Sequence, residues 1–400
     1  MSHFEAIKIS DDIYWVGAID WELRNFHGYQ TSRGSTYNAF LIVDERPTLI
    51  DAVKAPFLDE MLARVASVID PSKIDVVVSN HAEMDHSGGL PRLLERVAPS
   101  TVLASPNGVK ALQAHFHWDK AIQAVKDGST LSLGKNTLRF VETKMIHWPD
   151  SMFSYVEEQG VLFSNDAFGM HLASTERFVD ELDQAVTDVE AAKYYANIIL
   201  PLSPIVGKLL ERLPKLGFDL KLIAPDHGPL WRQDLQRIIG AYARWAEQRP
   251  TRKAVLVYDT MWHSTESMAH VIAEGIAKGG ARPVLMPLSG SHRSDIATEI
   301  LDAGALLVGS PTINNQLYPT VADAISYLKG LNRKNLVGAA FGSYGWNAKA
   351  VPLLDAALTD MGVQLLGEGL RVNYVPDAEA LAACRALGER VAARLQENQA

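Results

Sequence analysis

The sequence predicts an α/β protein of two domains, a helix-covered β-sandwich followed by a doubly wound parallel sheet. Three observations carry this expectation. The chain has 400 residues, more than one hydrophobic core usually serves. Short apolar runs separated by tight turns fill its first third, as in a mostly antiparallel sandwich. After residue 250 the pattern becomes near-continuous apolar runs alternating with helical ones, as parallel strands buried on both faces require. The segment Arg249-Pro250-Thr251-Arg252-Lys253 reads as the linker, giving expected domains of 1–250 and 251–400.

In the first half, residues 4–9, 12–17, 37–43 and 47–51 read as short strands. A helix from Phe57 to Ile69 leads through Asp70-Pro71 into the apolar run Ile74–Ser79. Apolar spacing then predicts helices over Leu90–Val97 and 106–116, with strands at 101–104, 130–133, 137–143, 153–157 and 161–164.

The densest chemistry lies where these runs stop. His81, Glu83, Asp85 and His86 sit together on the loop leaving Ile74–Ser79, a place between rigid elements that suits a site. Ligand-type side chains close three later runs: His147 after Phe140–Ile146, Asp166 after Val161–Asn165, and His227 after Leu220–Ala224. One histidine after a strand is usually structural. Seven ligand-type residues at strand ends of one sandwich point to a shared metal site. Gly88 and Gly89 are expected to leave the loop free to move. Structural roles are expected for His115 and His117, near the end of a helical pattern.

The pattern His-x-Glu-x-Asp-His, followed by His, Asp and His, resembles the signature of the metallo-β-lactamase superfamily, with Glu83 in place of its second histidine. That replacement, with the contexts His147-Trp148-Pro149-Asp150 and Pro225-Asp226-His227-Gly228, resembles the flavodiiron proteins. The resemblance implies a metallo-β-lactamase-like αββα sandwich holding two irons rather than zinc. It gives His81, Glu83 and His147 to one iron, Asp85, His86 and His227 to the other, and Asp166 to both as a bridge. Family members vary in whether the residue at the His86 position reaches its iron. A carboxylate in place of an imidazole hardens the ligand set. The three carboxylates would be neutralised by two ferrous ions and a bridging hydroxide, but zinc balances equally well. His27, His171 and Tyr195 resemble family positions near the iron pocket, and their roles stay open.

In the second half, apolar runs at Ala254–Thr260, Pro283–Pro287, Ala305–Gly309, Leu336–Phe341 and Val363–Gly367 alternate with helical patterns at 265–278, 293–302, 319–329, 348–361 and 377–396. This is a flavodoxin-like, doubly wound pattern, whose ligands bind at the carboxyl ends of the strands. Thr260-Met261-Trp262-His263-Ser264-Thr265 opens a helix and offers hydroxyls and backbone N–H groups to a phosphate. Pro311-Thr312-Ile313-Asn314-Asn315 forms a polar loop. Gly342-Ser343-Tyr344-Gly345-Trp346 frames two aromatics able to stack on a flat ring. Together the loops resemble the FMN site of flavodoxins. Trp262 and His263 depart from the usual Thr-x-Thr-Gly-x-Thr, in the manner of flavodiiron proteins. A GxGxxG fingerprint is missing, which argues against NAD or FAD.

Bulk properties narrow the remaining classes. A net charge of −9 argues against non-specific binding to nucleic acid or anionic membrane. No apolar run approaches the roughly 20 residues of a membrane span, and the N-terminus lacks a signal-peptide pattern, so a cytoplasmic location is expected. The single cysteine, Cys384, excludes an intrachain disulfide and a cysteine-ligated iron–sulfur or rubredoxin-type centre within one chain. Its helical spacing with Leu381, Leu387 and Val391 suggests a buried structural thiol.

The resemblance implies an oxidoreductase that reduces O2 to water, NO to N2O, or both. FMN would relay electrons from an external donor such as rubredoxin or a flavin reductase system. One reduced flavin and two ferrous ions hold the four electrons that O2 needs; two NO molecules need only two. A head-to-tail homodimer, or a dimer of such dimers, is expected. The competing expectation is a zinc-dependent metallo-β-lactamase-type hydrolase with an accessory flavodoxin-like domain.

Overall fold

The computed structural model describes residues 4–397, which pack as two compact units. The first contains the residues up to His27, Thr31–Tyr194 and Pro204–Ala243. The second contains Gly28–Gln30, Tyr195–Ser203 and the residues from Arg244 onward.

Two large sheets and a small two-stranded one build the first unit. The largest runs in the order Ile7–Lys8, Ile13–Trp15, Phe40–Ile42, Thr48–Ile50, Val76–Ser79, Thr101–Ala104, Gln123–Ala124. The second runs Thr130–Ser132, Thr137–Glu142, Met152–Val156, Val161–Asn165, Leu222–Pro225. Side-chain alternation along Val76–Ser79 explains the layering. Val76 and Val78 join the core that includes Phe40, Ile50, Phe140 and Phe163, drawn from both large sheets. Val77 joins a second core with Leu58, Met61 and Leu93 of the covering helices Leu58–Ala66 and Leu90–Val97. A strand covered on both faces needs an unbroken apolar run, and this one has it.

The sheets are less antiparallel than expected. The four strands from Thr48–Ile50 to Gln123–Ala124 pair in parallel, because helical crossovers rather than hairpins join them. The apolar run 37–43 also splits. Ser35–Tyr37 pairs with Ala18–Asp20, while Phe40–Ile42 enters the largest sheet. Between them the Asn38 amide donates to the Pro225 and Gly228 carbonyls and accepts from Trp15 Nε1. These bonds tie that junction to the His227 loop.

The second unit is a six-stranded, all-parallel sheet. Its order is Arg282–Pro287, Lys253–Tyr258, Ala305–Gly309, Val337–Tyr344, with Gln364–Leu365 and Leu370–Asn373 both pairing onto the last. Register aligns Tyr258 with Gly309 and Gly309 with Phe341, so the loops that follow emerge at one edge. The expected strand over Val363–Gly367 reaches only Leu365, and Gly367 sits at φ 112° where the chain turns out of the sheet. Leu370–Asn373 is the strand that the sequence pattern did not reveal. Helices Ser264–Lys278 and Ala378–Glu397 pack Ile272, Ile276, Cys384 and Leu387 onto Leu256 and Leu307.

Candidate metal centre and cofactor cleft

All seven predicted ligands converge at one end of the sandwich, in two adjoining groups. His81, Glu83, His147 and Asp166 form one, and Asp85, His86 and His227 the other. Asp166 follows Val161–Asn165, and His227 follows the neighbouring parallel strand Leu222–Pro225. The motif loop closes into a short helix, Met84–Ser87, that turns Asp85 and His86 inward and leaves Met84 exposed. Gly88 and Gly89 serve close packing, not motion. Their φ angles of −60° and −77° are ordinary helical values. A Cβ on Gly88 would strike the Met84 carbonyl, and one on Gly89 would lie 2.8 Å from the Val53 carbonyl.

The carboxylate of Asp166 divides between the groups. Its Oδ2 lies 3.0 Å from His147 Nε2 and 3.5 Å from His81 Nε2. Its Oδ1 lies 3.3 Å from His86 Nε2 and 3.5 Å from His227 Nε2. Glu83 Oε2 stands 3.3 Å from both His81 and His147, and Asp85 Oδ2 stands 3.2 Å from His227. His86, whose position was open, faces inward with its neighbours. Only Glu83 and His147 retain appreciable side-chain exposure, 10% and 14%, so they mark the open side.

Burial opposes charge on every one of these carboxylates, yet their imidazole neighbours hold them ionised. Glu83 is lowered by His147 and His81, Asp85 by His86 and His227, and Asp166 well below the usual range by His86 and His147. The same pairing acts on the rings. Burial opposes protonation of His81, but hydrogen bonds to Asp150 and Glu83 raise it to about 10. Asp85 and Asp166 raise His86 against its burial, and Asp166 and Glu83 raise His147. Buried carboxylates that stay ionised demand compensating positive charge, and cations can take the place of the imidazole protons. Both oxygens of Asp85, both ring nitrogens of His86 and Asp166 Oδ1 are buried without a hydrogen bond of normal geometry. Buried polar atoms left in that state call for a ligand. The donor set therefore fits a pair of metal ions.

Several supporting residues escaped the sequence reading. Asp150 accepts from His81 Nδ1 at 3.0 Å and from the Ala82 N–H at 2.7 Å. Asp51 accepts from the backbone and side-chain amides of Asn80. His227 Nδ1 meets the Thr36 carbonyl at 2.7 Å. Burial, reinforced by the nearby charge of Asp51, raises Asp226 well above the usual carboxyl range. Asp150 and Asp226 adjoin ligand motifs in sequence, and that adjacency was the available signal. Asp51 and Thr36 gave none.

The residues with open roles now have positions. His27 Nε2 lies 3.2 Å from Glu83 Oε1, with its ring largely in solvent. His171 is fully buried; its Nδ1 is 2.8 Å from Ser35 Oγ, and burial together with the His227 charge lowers its proton affinity. Tyr195 belongs to the second unit, its hydroxyl 3.0 Å from Ser203 Oγ. His115 is exposed and stacks on Trp148, whose ring meets His81 edge-on at 5.0 Å; His117 ends its helix in the left-handed conformation.

In the second unit, the three predicted loops enclose a cleft of roughly 790 Å³. Met261, Trp262, Ser264, Pro311, Thr312, Ile313, Asn314, Asn315, Ser343, Tyr344, Gly345 and Trp346 line it, joined by Asn347, Tyr374 and Val375, which were not predicted. Tyr374 and Val375 follow the unforeseen strand. Thr260, Thr265 and Gly342 stand behind the lining, and the His263 side chain lies largely in solvent outside it. Thr265 Oγ1 lies 3.1 Å from Ser343 Oγ, and Gly342 has no room for a Cβ against the Ser310 carbonyl. His263 adopts φ 63°, the left-handed conformation that explains why flavodoxins place glycine there. Its Nδ1 is held 2.7 Å from Glu266. Asn314 and Asn315 are also left-handed, which asparagine tolerates. The buried, unbonded hydroxyl of Thr260 and a helix N-terminus beside exposed aromatics fit a phosphate-bearing flat ring.

Comparison with known proteins agrees with both halves. Residues 36–228 match the family described as ODP family beta lactamase, and residues 256–388 match the flavodoxin family. A protein named nitric oxide reductase, from Moorella thermoacetica, is 47% identical over 98% of this chain and 100% of its own length. A protein named rubredoxin-oxygen oxidoreductase, from Megalodesulfovibrio gigas, is 46% identical over 93% of this chain and 94% of its own. The solved rubredoxin oxygen:oxidoreductase of Desulfovibrio gigas superposes with a TM-score of 0.97 at 44% identity, covering 99% and 100% of the two chains. The crystal structure titled flavodiiron protein from Giardia intestinalis gives 0.96 at 35% identity, covering 100% and 98%.

Proposed function

The chain belongs to the flavodiiron protein family, and on that premise we propose that it reduces O2 to water, NO to N2O, or both, at a non-haem diiron site fed through FMN. The division of Asp166 between two ligand groups is the observation that carries this reading, since a bridging carboxylate is what paired ions need. His81, Glu83 and His147 would hold one iron, Asp85, His86 and His227 the other. The FMN half, 251–400, would seat its phosphate on Thr260, Ser264 and Thr265 and its ring between Tyr344 and Trp346. When bound, the irons supply a Lewis-acidic, redox-active seat for the diatomic substrate and FMN supplies electrons.

The protein's own groups then have defined tasks. Asp166 fixes the separation of the two groups. His27 holds Glu83 at the open side through its Nε2 contact. The near-complete burial of His81, His86, Asp166 and His227 keeps bulk water from the remaining sides. No side chain is required as a nucleophile. The hydrolase reading finds no support in the two relatives described above, whose names denote oxidoreductases.

Metal analysis with a visible spectrum of the purified protein tests the proposal: about two irons and one flavin per chain are expected, and zinc without flavin would refute it. Turnover with one reduced donor, aerobic with O2 and anaerobic with NO, then ranks the substrates. Rubredoxin, or a flavin reductase system, is the proposed donor. Trp262, Trp346, Tyr374 and Val375 offer it an exposed apolar rim. A head-to-tail homodimer, or a dimer of such dimers, is proposed, and an active monomer in light scattering would refute it. No helix of the described residues is long and apolar enough to cross a membrane, in keeping with a proposed cytoplasmic location.

A further inference from the structure

The two ligand groups are not supported equally from behind. His81 turns its Nε2 toward Glu83 and Asp166 and its Nδ1 toward Asp150, 3.0 Å away. The outer nitrogen of His227 meets a neutral carbonyl, that of Thr36. The outer nitrogen of His86 stands 3.7 Å from Asp226, beyond hydrogen-bond reach. A carboxylate behind a ligating imidazole fixes its tautomer, keeps the inner lone pair aimed at the metal and makes it more basic.

Asp150 is also built to stay in place. Its side chain is 3% exposed. The oxygen that faces His81 also accepts the N–H of Ala82, the residue between ligands His81 and Glu83. From behind, Ser105 Oγ donates to the Asp150 carbonyl at 2.6 Å while capping the helix Pro106–Phe116. One carboxylate thus orients an imidazole and the backbone that carries a second ligand.

Resting on the diiron reading, we infer that Asp150 is a positioning residue that makes the His81–Glu83–His147 position the tighter of the two iron sites. Its removal selectively loosens that position and leaves the other iron and the flavin in place.

Asp150→Asn tests this, because it keeps the side chain's size and an oxygen for Ala82 but removes the charge. Wild-type protein and variant are dialysed together against a graded series of iron chelator, and iron and FMN are then counted per chain. The expected result is a variant that falls from two irons to about one, at chelator concentrations about 10–100-fold below those that strip the wild type. Its FMN stays at one per chain, and the spin-coupled electron paramagnetic resonance signal of the half-reduced pair disappears in step with the lost iron. Ser105→Ala, which loosens the same segment without touching His81, is expected to keep both irons. Wild-type chelator resistance in Asp150→Asn would overturn the inference. So would simultaneous loss of both irons, or equal loss in Ser105→Ala, since either reports general disruption of the loop. A wild-type protein that takes up flavin but no iron would remove the diiron reading itself, and the inference with it.

Discussion

At the metal centre, six of the seven predicted ligands are buried, whereas the cleft of the second unit exposes Trp346 by 92% and Trp262 by 86%. The first site is a knot of mutually dependent charges on the ends of rigid strands. The second is an open, mostly apolar trough shared among several loops. In the first, each group holds its neighbours ionised, and removing one leaves the rest with uncompensated buried charge. In the second, each residue adds a separable contact to a ligand that water can also reach. Loss of a ligand should therefore act all-or-none at the metal centre, whereas substitutions in the cleft should act by degrees.

The largest effect is expected for Glu83→Ala. Glu83 lies 3.3 Å from both His81 and His147, and its loss should empty the iron site and lower turnover by more than about 100-fold. FMN should remain at one per chain. Loss of flavin along with iron would break the comparison, because the two regions would not then be independent. Thr265→Ala should give the converse. The Thr265 side chain is buried beside Ser343, and a hydrogen bond to a charged phosphate is worth about 1.5–3 kcal/mol. FMN affinity should fall about 10–100-fold, measured by titrating apoflavoprotein, with iron unchanged.

How readily each region could be read from sequence follows the same contrast. Charged ligands at the ends of apolar runs stand out because interiors rarely keep such residues without purpose, so His81 to His227 were legible as a set before any fold was known. The hydroxyl and aromatic loops of the cleft were legible because helix starts and strand ends fall at regular intervals. What stayed hidden came from partners distant in the chain. Asp51 gains its place only when the parallel strands Thr48–Ile50 and Val76–Ser79 bring Asn80 to it. Tyr374 reaches the cleft through Leu370–Asn373, a strand too short and too exposed to show an apolar pattern. Gly28–Gln30 and Tyr195–Ser203 pack with the second unit although they lie far from it in sequence. There, Gln30 N–H donates to Ser294 and Tyr327 to Asn197. Local patterning carries no trace of such pairings.

A graded response is expected at Trp346. Its ring is almost wholly in solvent, so stacking on a flavin would contribute about 0.5–1.5 kcal/mol. Trp346→Ala should weaken FMN about 2–10-fold, read by fluorescence quenching, and should not change iron content. A loss as large as that expected for Thr265→Ala would mean that the aromatic wall, and not the phosphate seat, dominates flavin binding.

The smallest effect concerns how each unit treats a buried ionisable group. In the metal centre, partners defeat burial. In the second unit burial lowers Arg333 to about 10, and the carbonyls of Ile300, Ala303 and Gln248 accept from its guanidinium. Cys384 is different. It is packed among Leu387, Val391 and Leu395, and burial alone pushes its thiol up from about 9 to about 11. The folded state therefore keeps a proton that the unfolded chain releases. The thiol's contribution to stability is fully present below pH 9 and is lost as pH rises toward 11. Other groups titrate in that range, so the informative quantity is the stability gap between wild type and Cys384→Ala, taken from urea unfolding at half-unit steps from pH 8 to 11. It should narrow as pH rises, and at pH 8 the native thiol should resist alkylation until urea unfolds the protein. A gap independent of pH would mean that the thiol is solvated, and that the apolar character assigned to this core does not extend to the face of the Ala378–Glu397 helix.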